Sequence, residues 1–203
     1  MFLRFVLFVS LFGLANATAW AGSVYTTGNN TISAAPQLDM RVTIPKLIFL
    51  QVGTGTYFAD STGVNLISFN VLASNLGNGT AVAGTVASGD LGNGSVTARL
   101  VGNNGSITLS ATATGGLQNA TGDTINYNQI NTQSLSLTTP VVLAAPVLSN
   151  ATSSTVIAPS AGRVVNKDAR WTYTYLNSSV VPSGVYGGVN IRNGRVTYTA
   201  SML

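Results

Sequence analysis

One-by-one alternation of apolar and polar side chains constrains this chain most, because it recurs along the sequence, while helical three- and four-residue apolar spacing is absent after residue 21. Trp171, Tyr173 and Tyr175 alternate with Thr172 and Thr174, and Val196, Tyr198, Ala200 and Met202 alternate with Thr197, Thr199 and Ser201. A strand turns successive side chains to opposite faces, so each stretch predicts one apolar row for a core and one hydroxyl row for water. Leu38, Met40, Val42 and Ile44 alternate in the same way with Gln37, Asp39, Arg41 and Thr43, until Pro45 interrupts the ladder. In residues 64–73 the core row is Ile67, Phe69 and Val71. Residues 46–52 are instead almost continuously apolar, which suits a strand buried on both faces or one crossing between sheets.

Glycine–asparagine turns punctuate these stretches. Leu76-Gly77-Asn78-Gly79-Thr80 and Leu91-Gly92-Asn93-Gly94-Ser95 are versions of one turn, and Gly102-Asn103-Asn104-Gly105-Ser106 is a looser third. Their spacing is too irregular for a solenoid, whereas turns roughly every ten residues between short strands fit an all-β sandwich. Val96, Ala98 and Leu100 face Ile107, Leu109, Ala111 and Ala113 across Asn103-Asn104, which predicts a hairpin over 95–114. Asn193-Gly194 suits the two positive-φ positions of a type I′ turn and predicts a second hairpin, with arms at 185–191 and 195–202. Residues 115–123 read as a loop and 124–129 as a short polar strand. Residues 134–143, broken by Pro140, read as an edge strand or a surface loop. The terminal stretch, with Val196, Tyr198, Ala200 and Met202 on one face, is expected to be an edge at which another polypeptide adds.

Residues 1–21 stand apart. Arg4 precedes an apolar run over 5–14 and then small residues ending Ala19-Trp20-Ala21, the pattern of a secretory signal peptide cut after Ala21, with Ala17 and Ala19 as alternative sites. The run is about half the roughly 20 residues that a membrane-spanning helix needs, and no second such stretch follows. Export to the cell surface or medium is therefore expected. Residues 22–36 read as a mobile N-terminal extension and 37–203 as one β-sandwich domain. There is no cysteine, so the fold must rest on packing and strand pairing.

Charged residues are only 7% of the chain, and Glu and His are absent. With Arg4 lost in the signal peptide, eight basic residues face five acidic ones, too sparse a balance for tracking phosphates, so no nucleic-acid partner is expected. Without His, Cys or Glu, most groups able to move protons near neutrality are missing. Asp39, Asp60, Asp90, Asp123 and Asp168 are dispersed one per segment, and no loop holds two carboxylates. No catalytic residue, metal site or cofactor is expected, and the chain reads as a non-enzyme. Asn-x-Ser/Thr sequons, among them Asn119 and Asn177, arise from a composition rich in these residues.

Pro182-Ser183-Gly184-Val185-Tyr186-Gly187-Gly188-Val189 resembles the P-(A/S)-G-x-Y-x-G-x-V signature that precedes the final strand of non-classical chaperone-usher fimbrial subunits and spore-coat-U-like secreted proteins. The alternating segment running into Pro45 is also similar to pilins that carry a donor strand there. The resemblance implies an immunoglobulin-like sandwich assembling by strand donation to a neighbour, with self-association or related subunits as partners and a periplasmic chaperone in transit. It marks Pro182, Gly184, Tyr186 and Gly188 as motif residues, and Leu38, Met40, Val42 and Ile44 as the pairing strand. The chain departs from the pattern where 190–194 is interposed before the last strand, and where cysteines frequent in the spore-coat group are missing. The alternative is a monomeric secreted carbohydrate- or other ligand-binding module, with Trp171, Tyr173, Tyr175 and Tyr186 as stacking aromatics. Tyr186 also reads as a core tyrosine whose hydroxyl reaches backbone at a strand corner.

Overall fold

A computed structural model describes residues 22–203, so the predicted signal peptide lies outside the described residues. The chain divides at Pro45 into two units. In the first, residues 22–44 contain no strand and every side chain is exposed. Alternation presents two faces, but a strand also needs a neighbour for its backbone N–H and C=O groups, and residues 37–44 have none among the described residues.

In the second unit, Pro45–Leu203, the regular structure is nearly all β. Its strands are β1 (Ile48–Val52), β2 (Val82–Ala83), β3 (Ser95–Gly102), β4 (Ile107–Thr112), β5 (Leu117–Gln118), β6 (Thr124–Ile125), β7 (Ile130–Leu135), β8 (Thr152–Ile157), β9 (Val165–Tyr175) and β10 (Thr197–Met202). Short 3₁₀ turns lie at Ala73–Asn75 and Tyr127–Gln129. All strand pairs are antiparallel. One sheet runs β1-β3-β9, with β7 on the other side of β9, and β2 pairs with Tyr175 and Thr174 beyond the end of β3. A second sheet runs β10-β4-β8, and β5-β6 is a separate ribbon.

The two larger sheets share one core. Val96, Ala98 and Leu100 from β3 and Val165, Ala169, Trp171, Tyr173 and Tyr175 from β9 supply one side. Ile107, Leu109 and Ala111 from β4 and Ile157 from β8 supply the other. The alternation expected for 171–175 thus sorts as read, with Trp171 at 0% exposure.

The predicted hairpin over 95–114 does not form. Its two arms are strands and its apolar rows are buried, but β3 pairs with β1 and β9 while β4 pairs with β10 and β8, so residues 103–106 cross from one sheet to the other. A short Asn-Gly turn between two apolar rows serves a hairpin or a crossing equally well, and the long-range partners decide. The second predicted hairpin is also replaced. Residues 185–191 form no strand, and Asn190, Arg192 and Asn193 all take left-handed φ (57°, 50° and 59°), giving a compact loop instead of two aligned arms. β10 pairs with β4, from Thr197 opposite Thr112 to Met202 opposite Ile107. Residues 64–73 make only an isolated bridge at Phe69, although Ile67, Phe69 and Val71 do pack on the core. The short strand expected over 124–129 ends at Ile125.

Candidate functional site

Each larger sheet has two outer strands, so the body has two flanks, and they differ. On the β7/β8 flank the chain seals itself. Residues 143–149 cross from one sheet to the other, with Leu143, Pro146 and Leu148 buried. The Trp171 indole N–H donates to the Leu143 carbonyl at 2.8 Å, and Leu143 N–H donates to the Asp168 carbonyl at 3.0 Å. Ala145 N–H donates to Ser134 Oγ on β7 at 3.1 Å, and the Ser153 hydroxyl on β8 donates to the Val147 carbonyl. Sequence reasoning missed this seal and β8 itself, whose TSSTVI sequence has too few apolar residues to alternate clearly.

On the β1/β10 flank no such crossing segment lies among the described residues, and β1 and β10 instead approach one another directly. β1 pairs only with β3, and β10 only with β4, among the described residues. Leu50 and Val52 of β1, and Val196, Tyr198, Ala200 and Met202 at β10, lie against the core but are only partly buried. The contrast with the adjacent inner rows, Leu100 and Leu109 at 0% exposure, means that one further layer of apolar side chains would complete this flank.

Tyr198 anchors the edge. Its ring centroid is 5.3 Å from that of Trp171, and its hydroxyl shares a 2.9 Å hydrogen bond with that of Tyr173. Burial pushes the Tyr198 hydroxyl up to about 12 and that of Tyr173 well above the usual tyrosine range. At the far end of β10, Asn104 Nδ2 donates to the Leu203 carbonyl at 2.6 Å, while Asn103 Nδ2 donates to the Pro45 carbonyl and its Oδ1 accepts from Leu47 N–H, both at 2.8 Å. The adjacent asparagines of the sheet-crossing turn thus hold the start of the body and its last residue at one end.

The motif residues form a corner beside the β5-β6 ribbon. The Tyr186 hydroxyl donates to the Pro182 carbonyl at 2.7 Å, four residues upstream, and Gly187 N–H donates to the Gln118 carbonyl at 2.8 Å. Tyr186 is half-buried, so it reaches backbone as read but stands outside the core. At Gly184 a Cβ would come within 3.1 Å of the Asn119 side chain, and at Gly188, with φ of 144°, within 2.8 Å of Ile191. Both positions therefore need glycine. Asn119 and Asn177, read as sequons, are buried. Asn177 Oδ1 accepts from Gly77 N–H at 2.9 Å and its Nδ2 donates to the Asn75 carbonyl at 2.6 Å, which pins the 73–80 turn to the end of β9.

The aromatics weighed as a stacking platform are mostly internal: Trp171, Tyr173 and Tyr175 are buried. The four residues weighed as a pairing strand are the opposite case, with Leu38 at 80%, Met40 at 86%, Val42 at 84% and Ile44 at 76% exposure. Among the described residues no three acidic side chains gather, and no helix is long and apolar enough to cross a membrane. No family model, no curated protein and no solved structure matches this chain.

Proposed function

We propose that this chain is an exported structural subunit, an immunoglobulin-like sandwich that assembles into a cell-surface fibre by strand addition between copies. The observation that carries the reading is a pair of complementary deficits. One is an alternating segment, Leu38, Met40, Val42 and Ile44, whose apolar row has no cover. The other is a flank bounded by β1 and β10 whose inner apolar residues are half covered. A strand lying along β10 provides backbone partners for its free edge and an apolar row for the flank at once. Burying four such side chains is worth about 6 to 12 kcal/mol, on the scale of a domain's whole net stability. The resemblance around Pro182, Gly184, Tyr186 and Gly188 supports the same reading, and with it a periplasmic chaperone that covers the edge in transit.

The test uses the mature chain, 22–203, beside a variant lacking 22–44. Light scattering is expected to find polymers of the full chain and only monomers of the variant, and a synthetic peptide of residues 36–45 is expected to bind the variant and raise its melting temperature. Polymers of the shortened chain as long as those of the full one would overturn the proposal.

A further inference from the structure

The outer face of the first sheet, away from the core, carries a trough of about 370 Å³ lined by Tyr57, Arg99, Val101, Thr138, Thr139 and Asn166, together with Lys167 and Asp168. Its floor follows from register, since Gln51 of β1 lies opposite Arg99 of β3, which lies opposite Asp168 of β9. Two loops wall it, one carrying Tyr57 and Phe58 and the other Thr138 and Thr139. From the geometry we propose that this trough binds a carboxylate-bearing sugar residue, a uronic-acid type of ligand, with Arg99 taking the carboxylate and the exposed edge of the Tyr57 ring meeting the sugar's C–H face.

The groups already committed to the protein's own structure decide the chemistry. Asp168, the carboxylate nearest Arg99 in register, is occupied: Thr138 and Thr139 N–H each donate to Oδ1 at 3.0 Å, the Thr139 hydroxyl donates to Oδ1 at 3.0 Å, and the Thr138 hydroxyl donates to Oδ2. Gln51, opposite Arg99, sends Nε2 to the carbonyls of Gly53 and Gly55 at 2.9 and 3.1 Å, and its buried Oε1 has no donor. The Arg99 guanidinium is spent on neither. It is held over the Tyr57 ring, 5.8 Å from the centroid, half-buried and without a carboxylate partner among the described residues. A guanidinium fixed by stacking, with its fork unused, is a receptor for a planar carboxylate.

The wall is equally specific. Tyr57 packs against Phe58 at 4.2 Å and Phe49 at 5.5 Å between centroids, and Phe58 sits at a left-handed φ of 56° that a bulky residue rarely adopts. Tyr57 and Phe58 nevertheless remain about half exposed. An apolar ring edge, a free amide at Asn166 and an unengaged guanidinium beside an engaged carboxylate suit a ligand with a C–H face, hydroxyls and one negative charge. The trough is built from β3, β9 and two loops of the body, so the inference does not rest on strand addition.

Saturation-transfer NMR and calorimetry on the chain 22–203 test it with four probes: a galacturonic-acid oligosaccharide, the same oligosaccharide with its carboxyls reduced to alcohols, acetate, and a pentaglutamate peptide. The acidic sugar is expected to bind more tightly than its reduced form by about ten- to a hundredfold. Arg99→Gln is expected to erase that preference, Arg99→Lys to keep a smaller one, and Tyr57→Ala to weaken both sugars, with melting curves confirming folded variants. Equal affinity for the two sugars in the unmodified chain, no binding of either, competition by acetate at equal concentration, or tighter binding of the peptide would each overturn the proposal.

Discussion

Asp168 shows how few charged groups this chain can use, and what one of them holds. Burial alone would raise its carboxyl, but hydroxyl and backbone hydrogen bonds from Thr138 and Thr139 outweigh that and hold it at about 2. A carboxyl lowered in the folded state stabilises above its unfolded value near 4, and that contribution is lost as pH falls toward about 2. Tyr198 runs the other way, because burial raises its hydroxyl to about 12, so its contribution is intact below the unfolded value near 10 and is lost as pH rises toward 12. Thermal melts are therefore expected to show a plateau from about pH 5 to 9 with two shoulders, each on the order of 1–2 kcal/mol. Asp168→Asn should reduce the acid shoulder and Tyr198→Phe the alkaline one, the remainder belonging to Asp123 on the acid side and to Tyr127 and Tyr173 on the alkaline side, whose groups shift in the same directions. A shoulder unchanged in its own variant would assign it wholly to those other groups.

At the scale of the strand, β10 tests whether face or position governs. Thr197, Thr199 and Ser201 are exposed, whereas Tyr198, Ala200 and Met202 turn inward. Tyr198→Lys puts an ammonium against Trp171 and removes the hydroxyl partner of Tyr173, so a loss of about 2–4 kcal/mol is expected. Thr199→Lys, one residue on, is expected to stay within about 0.5 kcal/mol of the parent. Urea unfolding of both variants measures the difference, and equal losses would mean that the inward row does not hold this strand. The faces of β3, β4, β9 and β10 were legible in the sequence because alternation records burial directly. Partners were not, because the row Val96, Ala98, Leu100 reads the same whether it meets Ile107, Leu109, Ala111 in one sheet or across a core. Asn193-Gly194 misled for a related reason: its positive φ belongs to a loop packed on β5, where Gln118 N–H donates to the Arg192 carbonyl at 3.0 Å. The trough on the outer face was invisible, since Tyr57, Arg99 and Thr138 come from distant segments.

For the whole molecule, the question is whether an exposed alternating segment pairs within its own chain or with another. The natural absence of cysteine makes this directly measurable, because any introduced thiol is the only one present. Thr43 and Thr199 both lie on the polar faces of their stretches, so cysteines at these positions leave the apolar rows intact. Two singly substituted chains, Thr43→Cys and Thr199→Cys, are mixed, allowed to assemble and oxidised gently. With Ser201→Cys and Thr197→Cys as register partners, one pairing is expected to give a mixed disulfide in high yield, since cross-strand Cβ atoms about 4.5–5.5 Å apart are within reach of a bridge and a two-residue slip is not. A disulfide between different chains that forms at one register and not two residues along it reports strand pairing between copies, which random collision of exposed thiols does not reproduce. The doubly substituted chain supplies the counterpart, because closure on itself gives a bridged monomer at any dilution, whereas strand addition gives ladders that grow with concentration. Ladders from the double variant, together with one favoured register in the mixture, are the expected result. A bridged monomer alone would place the segment along its own body and end the polymerisation reading.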